Sequence, residues 1–251
     1  MVLWSTKRRL MFGGGFVLIV AIILSGIFWS ILYRAPTCSD GVKNGDETGV
    51  DCGGSCQRLC TNDALTPVVL WAKAFNISGD VYSVVAYVEN PNVNSKNNRA
   101  TYQFRIFDEN GKLITVKEGE TSIPKGKKFA IFENGLVFKN AKPKSAVFHF
   151  VTLSEWKKDS QTDTELSLKY GTPTSTSTAP NISGTVSNTS LQGIPEVELV
   201  VFVLDNNENV IAASRTFVDN LRAKSSQDFV FTWQKPFDGD ASVVNIMYRS
   251  I

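Results

Sequence analysis

From Leu10 to Tyr33 the sequence runs LMFGGGFVLIVAIILSGIFWSILY without a charged residue, and no other feature limits the chain so strictly. A helix of that length, rising about 1.5 Å per residue, spans roughly 36 Å, enough to cross a hydrocarbon core of about 30 Å with some tilt. Backbone amides in lipid find partners only within their own segment, so an inserted run of this kind must be helical. Residues 10–33 are therefore expected to form a transmembrane helix whose partner is the lipid bilayer, and residues 1–9 a cytoplasmic tail. Lys7, Arg8 and Arg9 precede the run and Arg34 alone follows closely, which keeps the N-terminus in the cytoplasm and sends the remainder outside. Trp29 and Tyr33 fall near the outer end as interfacial anchors. The competing reading is a cleaved signal peptide, whose apolar core is about 7–15 residues and ends at small residues. This core is longer and ends in FWSILYR. Gly13, Gly14 and Gly15 lie inside the run, so they read as small residues tolerated in a span, not as a phosphate loop.

The net charge of +2 is local in origin. Lys7, Arg8, Arg9 and Arg34 leave 22 of the 26 bases to face all 24 acids beyond residue 34. No basic stripe or nucleic-acid motif is visible, so nucleic acid is not expected as a partner.

All four cysteines, Cys38, Cys52, Cys56 and Cys60, lie just beyond the apolar run. Outside the cytoplasm such a cluster implies two disulfides, with three pairings open to it. Residues 38–60 are thus expected to form a cysteine-rich neck ordered by covalent closure, because they contain too few apolar residues to order themselves by burial. Zinc is the weaker reading of the same cysteines, since the first stands alone. Between Cys38 and Cys52 lie hard oxygen donors. Counted from Asp40, the donors Asp40, Asn44, Asp46 and Asp51 take positions 1, 5, 7 and 12, with Gly45 at 6. This is the spacing of a calcium loop, but Val42 fills position 3, Asp51 replaces the usual bidentate Glu, and no amphipathic helices flank it. A turn-rich knot, with Asp and Asn side chains capping backbone turns, competes with calcium and fits better. No other cofactor is expected.

The string CSDGVKNGDETGVDCGGSCQRLC, Cys38 to Cys60, resembles a cysteine motif that opens the outer region of many uncharacterised bacterial surface proteins, especially of candidate-phylum lineages. That resemblance implies location and architecture, not a chemistry.

Beyond Cys60 the pattern becomes that of an antiparallel β protein. Strands are expected at Val68–Phe75, Val81–Val88, Leu113–Val116, Lys128–Phe132 and Ala146–Val151, with Tyr102, Phe104 and Ile106 alternating against Gln103 and Arg105. The same pattern then recurs. Tyr102–Ile114 (YQFRIFDENGKLI) aligns with Glu198–Ile211 (ELVVFVLDNNENVI), which places Asp108 over Asp205. Val88–Asn90 likewise matches Val186–Asn188, and Phe129 matches Phe229. Offsets of 97 to 100 residues have the size of one sandwich domain. The fold class expected is all-β: two immunoglobulin-like antiparallel sandwiches in tandem, over residues 66–156 and 165–251. The second is expected to open at Glu165–Tyr170 and close at Ser242–Tyr248, with residues 171–180 (GTPTSTSTAP) a polar loop. FRIFD at Phe104–Asp108 and VFVLD at Val201–Asp205 resemble the signature of FxLYD-type immunoglobulin-like domains of bacterial and archaeal surface proteins. The second copy carries Val in place of the opening Phe.

No catalytic constellation is apparent, so no enzyme is expected. His149 is the one histidine, set on a strand in AVFHFV without a nucleophile elbow anywhere in the chain. Asn76, Asn181 and Asn188 head glycosylation sequons. The loop Asn90–Asn98 (NPNVNSKNN) is the most polar and is weighed as a contact site against a plain solvated connection. The function expected is a non-enzymatic membrane-anchored surface protein that presents its sandwiches to a protein or envelope partner. The alternative is an accessory subunit of an envelope secretion, pilus or transport assembly.

Overall fold

The structure is a computed structural model that describes residues 4–32, 35–153, 156–160, 166–173 and 179–251. Tyr33, Arg34 and residues 174–178 of the 171–180 stretch lie outside the described residues. The chain divides into two compact units, Met1–Ser55 and Cys56–Ile251.

The first unit opens with helix α1, Trp4–Leu32. Its stretch Thr6–Ser30 reaches a mean hydropathy of 2.5 over its most apolar 18 residues, none of which is buried, so it is an apolar helix long enough to cross a membrane. Beyond it the chain turns sharply and repeatedly. Gly41, Gly45, Gly53 and Gly54 all have positive φ. At Gly53 a Cβ would overlap the Thr48 hydroxyl, and at Gly54 the Asp46 carbonyl, so no other residue fits either place.

Among the described residues the second unit contains thirteen strands. Those of the first sandwich are β1 (Val68–Ser78), β2 (Val81–Glu89), β3 (Ser95–Phe107), β4 (Leu113–Ile123), β5 (Lys128–Val137), β6 (Ser145–Thr152) and the short β7 (Trp156–Lys158). They form one sheet ordered β1-β2-β5 and another ordered β4-β3-β6, with β7 also pairing β3. The second sandwich contains β8 (Leu166–Tyr170), β9 (Asn181–Asn188), β10 (Ile194–Leu204), β11 (Val210–Leu221), β12 (Ser226–Thr232) and β13 (Val243–Ser250). Its sheets are ordered β8-β9-β12 and β11-β10-β13. Adding seven to each label from β1 to β6 gives the second sandwich, so the sequence repeat is also a repeat of topology. The fold is all-β, two immunoglobulin-like antiparallel sandwiches in tandem.

Period-two alternation explains both inner cores. In the first, Val84, Ala86 and Val88 of β2 face Tyr102, Phe104 and Ile106 of β3, closed by Phe129, Ile131 and Phe148. In the second, Ile182 and Val186 of β9 face Leu199, Val201 and Val203 of β10, with Phe229 and Phe231. The opening strand of the second copy, expected at Glu165–Tyr170, is a strand over Leu166–Tyr170, and Glu165 lies outside the described residues.

A third core joins the sandwiches. Val85 of β2 and Ala130 and Phe132 of β5 point out of the first sandwich onto Val200, Phe202 and Ala213 of the second. Trp71, Tyr87 and Phe202 cluster there, with Phe202 4.8 Å from Trp71 and 5.3 Å from Tyr87 between ring centroids. The outer face of sheet β1-β2-β5 thus packs on the outer face of β11-β10-β13, and the unit is a stack of four sheets with three apolar seams. The sequence reading foresaw the two sandwiches but not this seam.

Candidate functional site

Polar groups at the seam are organised around Glu198 on β10, which is 2% exposed. Its Oε1 lies 3.3 Å from Arg215 Nη1 on β11, and its Oε2 accepts from Arg249 Nε on β13. Cross-strand pairing sets this geometry, because Glu198 stands opposite Arg249 and is flanked by Arg215, the partner of Val200. Both arginines also reach the first sandwich. Arg215 Nη1 donates to the Phe132 carbonyl at 2.9 Å, and Arg249 Nη1 donates to Thr121 Oγ1 at 2.8 Å and to the Ser122 carbonyl at 3.1 Å. A buried carboxylate needs such a full set of donors to be tolerated.

Two clefts open at opposite ends of the seam. The first, about 630 Å³, is lined by Lys73 and Asn76 of β1, Ser83 of β2 and Asn134 of β5 on one side, and by Arg215 and Trp233 on the other. Lys73 Nζ donates across it to the Val210 carbonyl at 3.5 Å. Trp233 donates its Nε1–H to the Ala213 carbonyl and meets the Phe237 ring edge to face at 5.0 Å. The second cleft, about 480 Å³, lies beside Lys96, Lys125, Asp159 and Arg249. Asp159 ties Lys96 at 2.9 Å and Lys125 at 3.5 Å.

In the first unit the hard donors around Asp40 are engaged in turns. Asp40 accepts from Asn44 Nδ2 at 2.9 Å and from the backbone N–H groups of Thr37 and Val42. The Asn44 amide, then those backbone donors, hold its carboxyl below the usual carboxylate range. Both Asp51 oxygens accept from the Gly41 N–H, and Asp46 Oδ1 accepts from the Ser55 hydroxyl at 2.7 Å. Glu47 caps the N–H groups of Asn44 and Asp51. Asp40 and Asp51 thus cap backbone turns and Asp46 braces Ser55, whereas Asn44 Oδ1 is buried without a hydrogen-bond partner among the described residues. All four cysteines are disulfide-bonded and none is free.

From Cys56 onward the chain runs with the first sandwich. Leu59 N–H donates to the Trp156 carbonyl, Lys158 N–H donates to the Gln57 carbonyl, and Leu59 packs on the first core.

The remaining sequence candidates are dispersed. His149 is exposed on the outer face of β6, opposite Gln103. Asn90 in the polar loop is 1% exposed and its amide donates to the carbonyls of Ser95 and Pro124, so this loop is fastened from within. Asn188, its counterpart in the repeat, is 2% exposed and donates to Gln192, Leu221 and Arg222 carbonyls. That sequon has no free amide in the folded chain, whereas Asn181 is exposed. Sequence reasoning missed the buried asparagines, although their signal was present as VEN and VSN in matching places.

No protein-family model matches the chain, and none of the curated proteins does. Among solved structures, the crystal structure of red sea bream transglutaminase matches 73% of this chain at 11% identity with a TM-score of 0.19. This chain spans about a third of that one, 31% of its length. At that score the likeness carries nothing about fold or activity.

Proposed function

We propose that this chain is a non-enzymatic, single-pass membrane protein of the cell surface. In this reading α1 stays uncleaved as the anchor and the N-terminus faces the cytoplasm. Two FxLYD-type sandwiches are then held outside as one rigid unit presented to a protein or envelope partner. The observation that carries it is an unburied apolar helix followed at once by four cysteines, all in disulfides. Disulfides persist in oxidising compartments, so the region after the helix belongs on the exported side. The FxLYD likeness is supported by the two Asp-led turns. Asp108 Oδ1 accepts from Asn110 and Lys112 N–H groups, and Asp205 Oδ1 from those of Asn207 and Asn209. A binding rather than a catalytic role is supported by His149, whose cross-strand neighbour offers neither a nucleophile nor a carboxylate.

The test is protease added to intact cells that carry the chain tagged at both ends. Digestion of the C-terminal tag with an N-terminal fragment protected is the expected result. A protected C-terminal tag would overturn the orientation, and a mature chain lacking Lys7–Arg9 would overturn the anchor.

A further inference from the structure

The first cleft carries a charge imbalance that the chain as a whole does not have. Its walls hold Lys73, Lys144, Arg215 and Lys235 against one acid, Asp238, whereas the whole chain has 26 bases to 24 acids. Two of these cations are already paired, Arg215 with Glu198 and Lys235 with Asp238 at 3.6 Å. Among the described residues the other two have no ion-pair partner. Lys144 is exposed, and Lys73 is half-buried with its Nζ 3.5 Å from the Val210 carbonyl and 5.7 Å from the Trp71 ring centroid. Asp205 senses Lys73, which helps lower its pKa, but the Asn209 and Asn207 donors of its own turn contribute more and occupy the carboxylate. The same cleft is lined by Trp233, which is largely buried and meets Phe237 edge to face, and by the Asn134 amide, whose Oδ1 accepts from the Ser83 hydroxyl at 3.0 Å. About 630 Å³ lies inside the range of small-ligand sites, roughly 300–1,000 Å³. Concave walls of low dielectric strengthen the field of unpaired charges within them.

We propose that this cleft binds a ligand carrying carboxylate or phosphate groups on a ring-shaped body. Lys73 and Lys144 meet the anionic groups, the apolar wall of Trp233 and Phe237 packs against the body of the ring, and Asn134 meets its hydroxyls. Ammonium groups act as point charges without the fixed fork of a guanidinium, so both kinds of anion suit them. The assignment goes beyond the display reading and does not depend on which side of a membrane the unit faces.

The test is calorimetric titration of the full chain in an uncharged detergent, with trigalacturonate, fructose 1,6-bisphosphate and maltotriose as probes. Saturable binding of either anionic probe and none of maltotriose is expected, and the anion that binds tells carboxylate from phosphate. Affinity should weaken with added salt. It should fall about tenfold or more in the Lys73→Gln/Lys144→Gln double variant, and stay unchanged in Lys96→Gln at the opposite cleft. Should the double variant lose its thermal transition, Lys144→Gln alone, at an exposed position, decides by the same loss of affinity. Absence of binding by both anions, binding indifferent to salt, or equal loss in Lys96→Gln would each overturn the assignment. Because the titration takes the chain out of the membrane, such a failure leaves the protease result untouched, and the reverse also holds.

Discussion

Tyr102 shows how much one side chain depends on its neighbours' sizes and charges. It is 5% exposed in the first core, yet its hydroxyl reaches Glu133 of β5 and donates to Oε1 at 2.8 Å. It can do so because Gly119 lies opposite on β4, where a Cβ would overlap that hydroxyl. Lys117 sits 3.8 Å from the same carboxylate. Burial first, then the bond to Glu133 and its charge, push the Tyr102 pKa well above the ordinary value of 10.0, with Arg249 and Arg215 pulling weakly the other way. A phenol whose folded pKa is raised contributes stability that is complete below its unfolded pKa and is lost as pH rises past it. Denaturant unfolding should therefore show stability falling above about pH 10. Tyr102→Phe should flatten that fall and leave the smaller share of Tyr87, whose pKa burial and Glu89 also raise. An identical alkaline slope in Tyr102→Phe would refute the coupling.

At the scale of elements, β3 and β10 occupy equivalent places yet differ in pattern, and that difference decides the architecture. In β3 the outward residues are Gln103 and Arg105, so one face is buried and one is wet. In β10 the run Leu199–Val203 is buried on both faces, and β2, with VYSVVAYVE, is nearly the same. Unbroken apolar runs mark strands covered on both sides, so the third seam had a signature in the sequence, visible at β2 and β10 but not in the alignment of the copies. The Asp-led turns and the core alternation were readable because local spacing dictates them. The strand Trp156–Lys158 was not, since three residues hold no period. The clefts were not readable either, because Lys73, Lys144 and Trp233 line one cleft only once the two copies have packed together. If the seam couples the sandwiches, truncating its central ring should cost about 3–5 kcal/mol. It should also divide unfolding, since each sandwich keeps its own inner core. Phe202→Ala is thus expected to turn one calorimetric endotherm into two. One undivided endotherm at unchanged temperature would show that the seam carries no such coupling.

For the molecule as a whole, the seam joins unlike faces, β1-β2-β5 of the first copy to β11-β10-β13 of the second. Each copy therefore keeps one unused face of the kind its sibling buries. A contact between unlike faces does not close on itself and can in principle continue from chain to chain. Polarity at the two ends of the stack works against such continuation. Where the seam has Val200 and Phe202, the free face of the first copy has Gln103 and Arg105, with Glu118 and His149 beside Gln103. Where the seam has Val85 and Tyr87, the free face of the second copy has Ser183 and Thr185, and Thr185 donates to Asp228 at 2.7 Å. Terminal repeats with polar outer faces end a stack in the same way in repeat proteins. Restoring the seam residues should remove that barrier. Gln103→Val with Arg105→Phe would join Val116 and Val147, the exposed cross-strand partners of Arg105, into one apolar patch. Adding Ser183→Val and Thr185→Tyr would rebuild the complementary face. In sedimentation velocity on the full chain in uncharged detergent, the four-residue variant should form a ladder of growing species as concentration rises. Variants changed on one face alone should not extend, because the complementary face of every neighbour stays polar. If the four-residue variant sediments as the parent does, end-face polarity is not what limits the stack to four sheets, and the shape of the seam itself must set that limit.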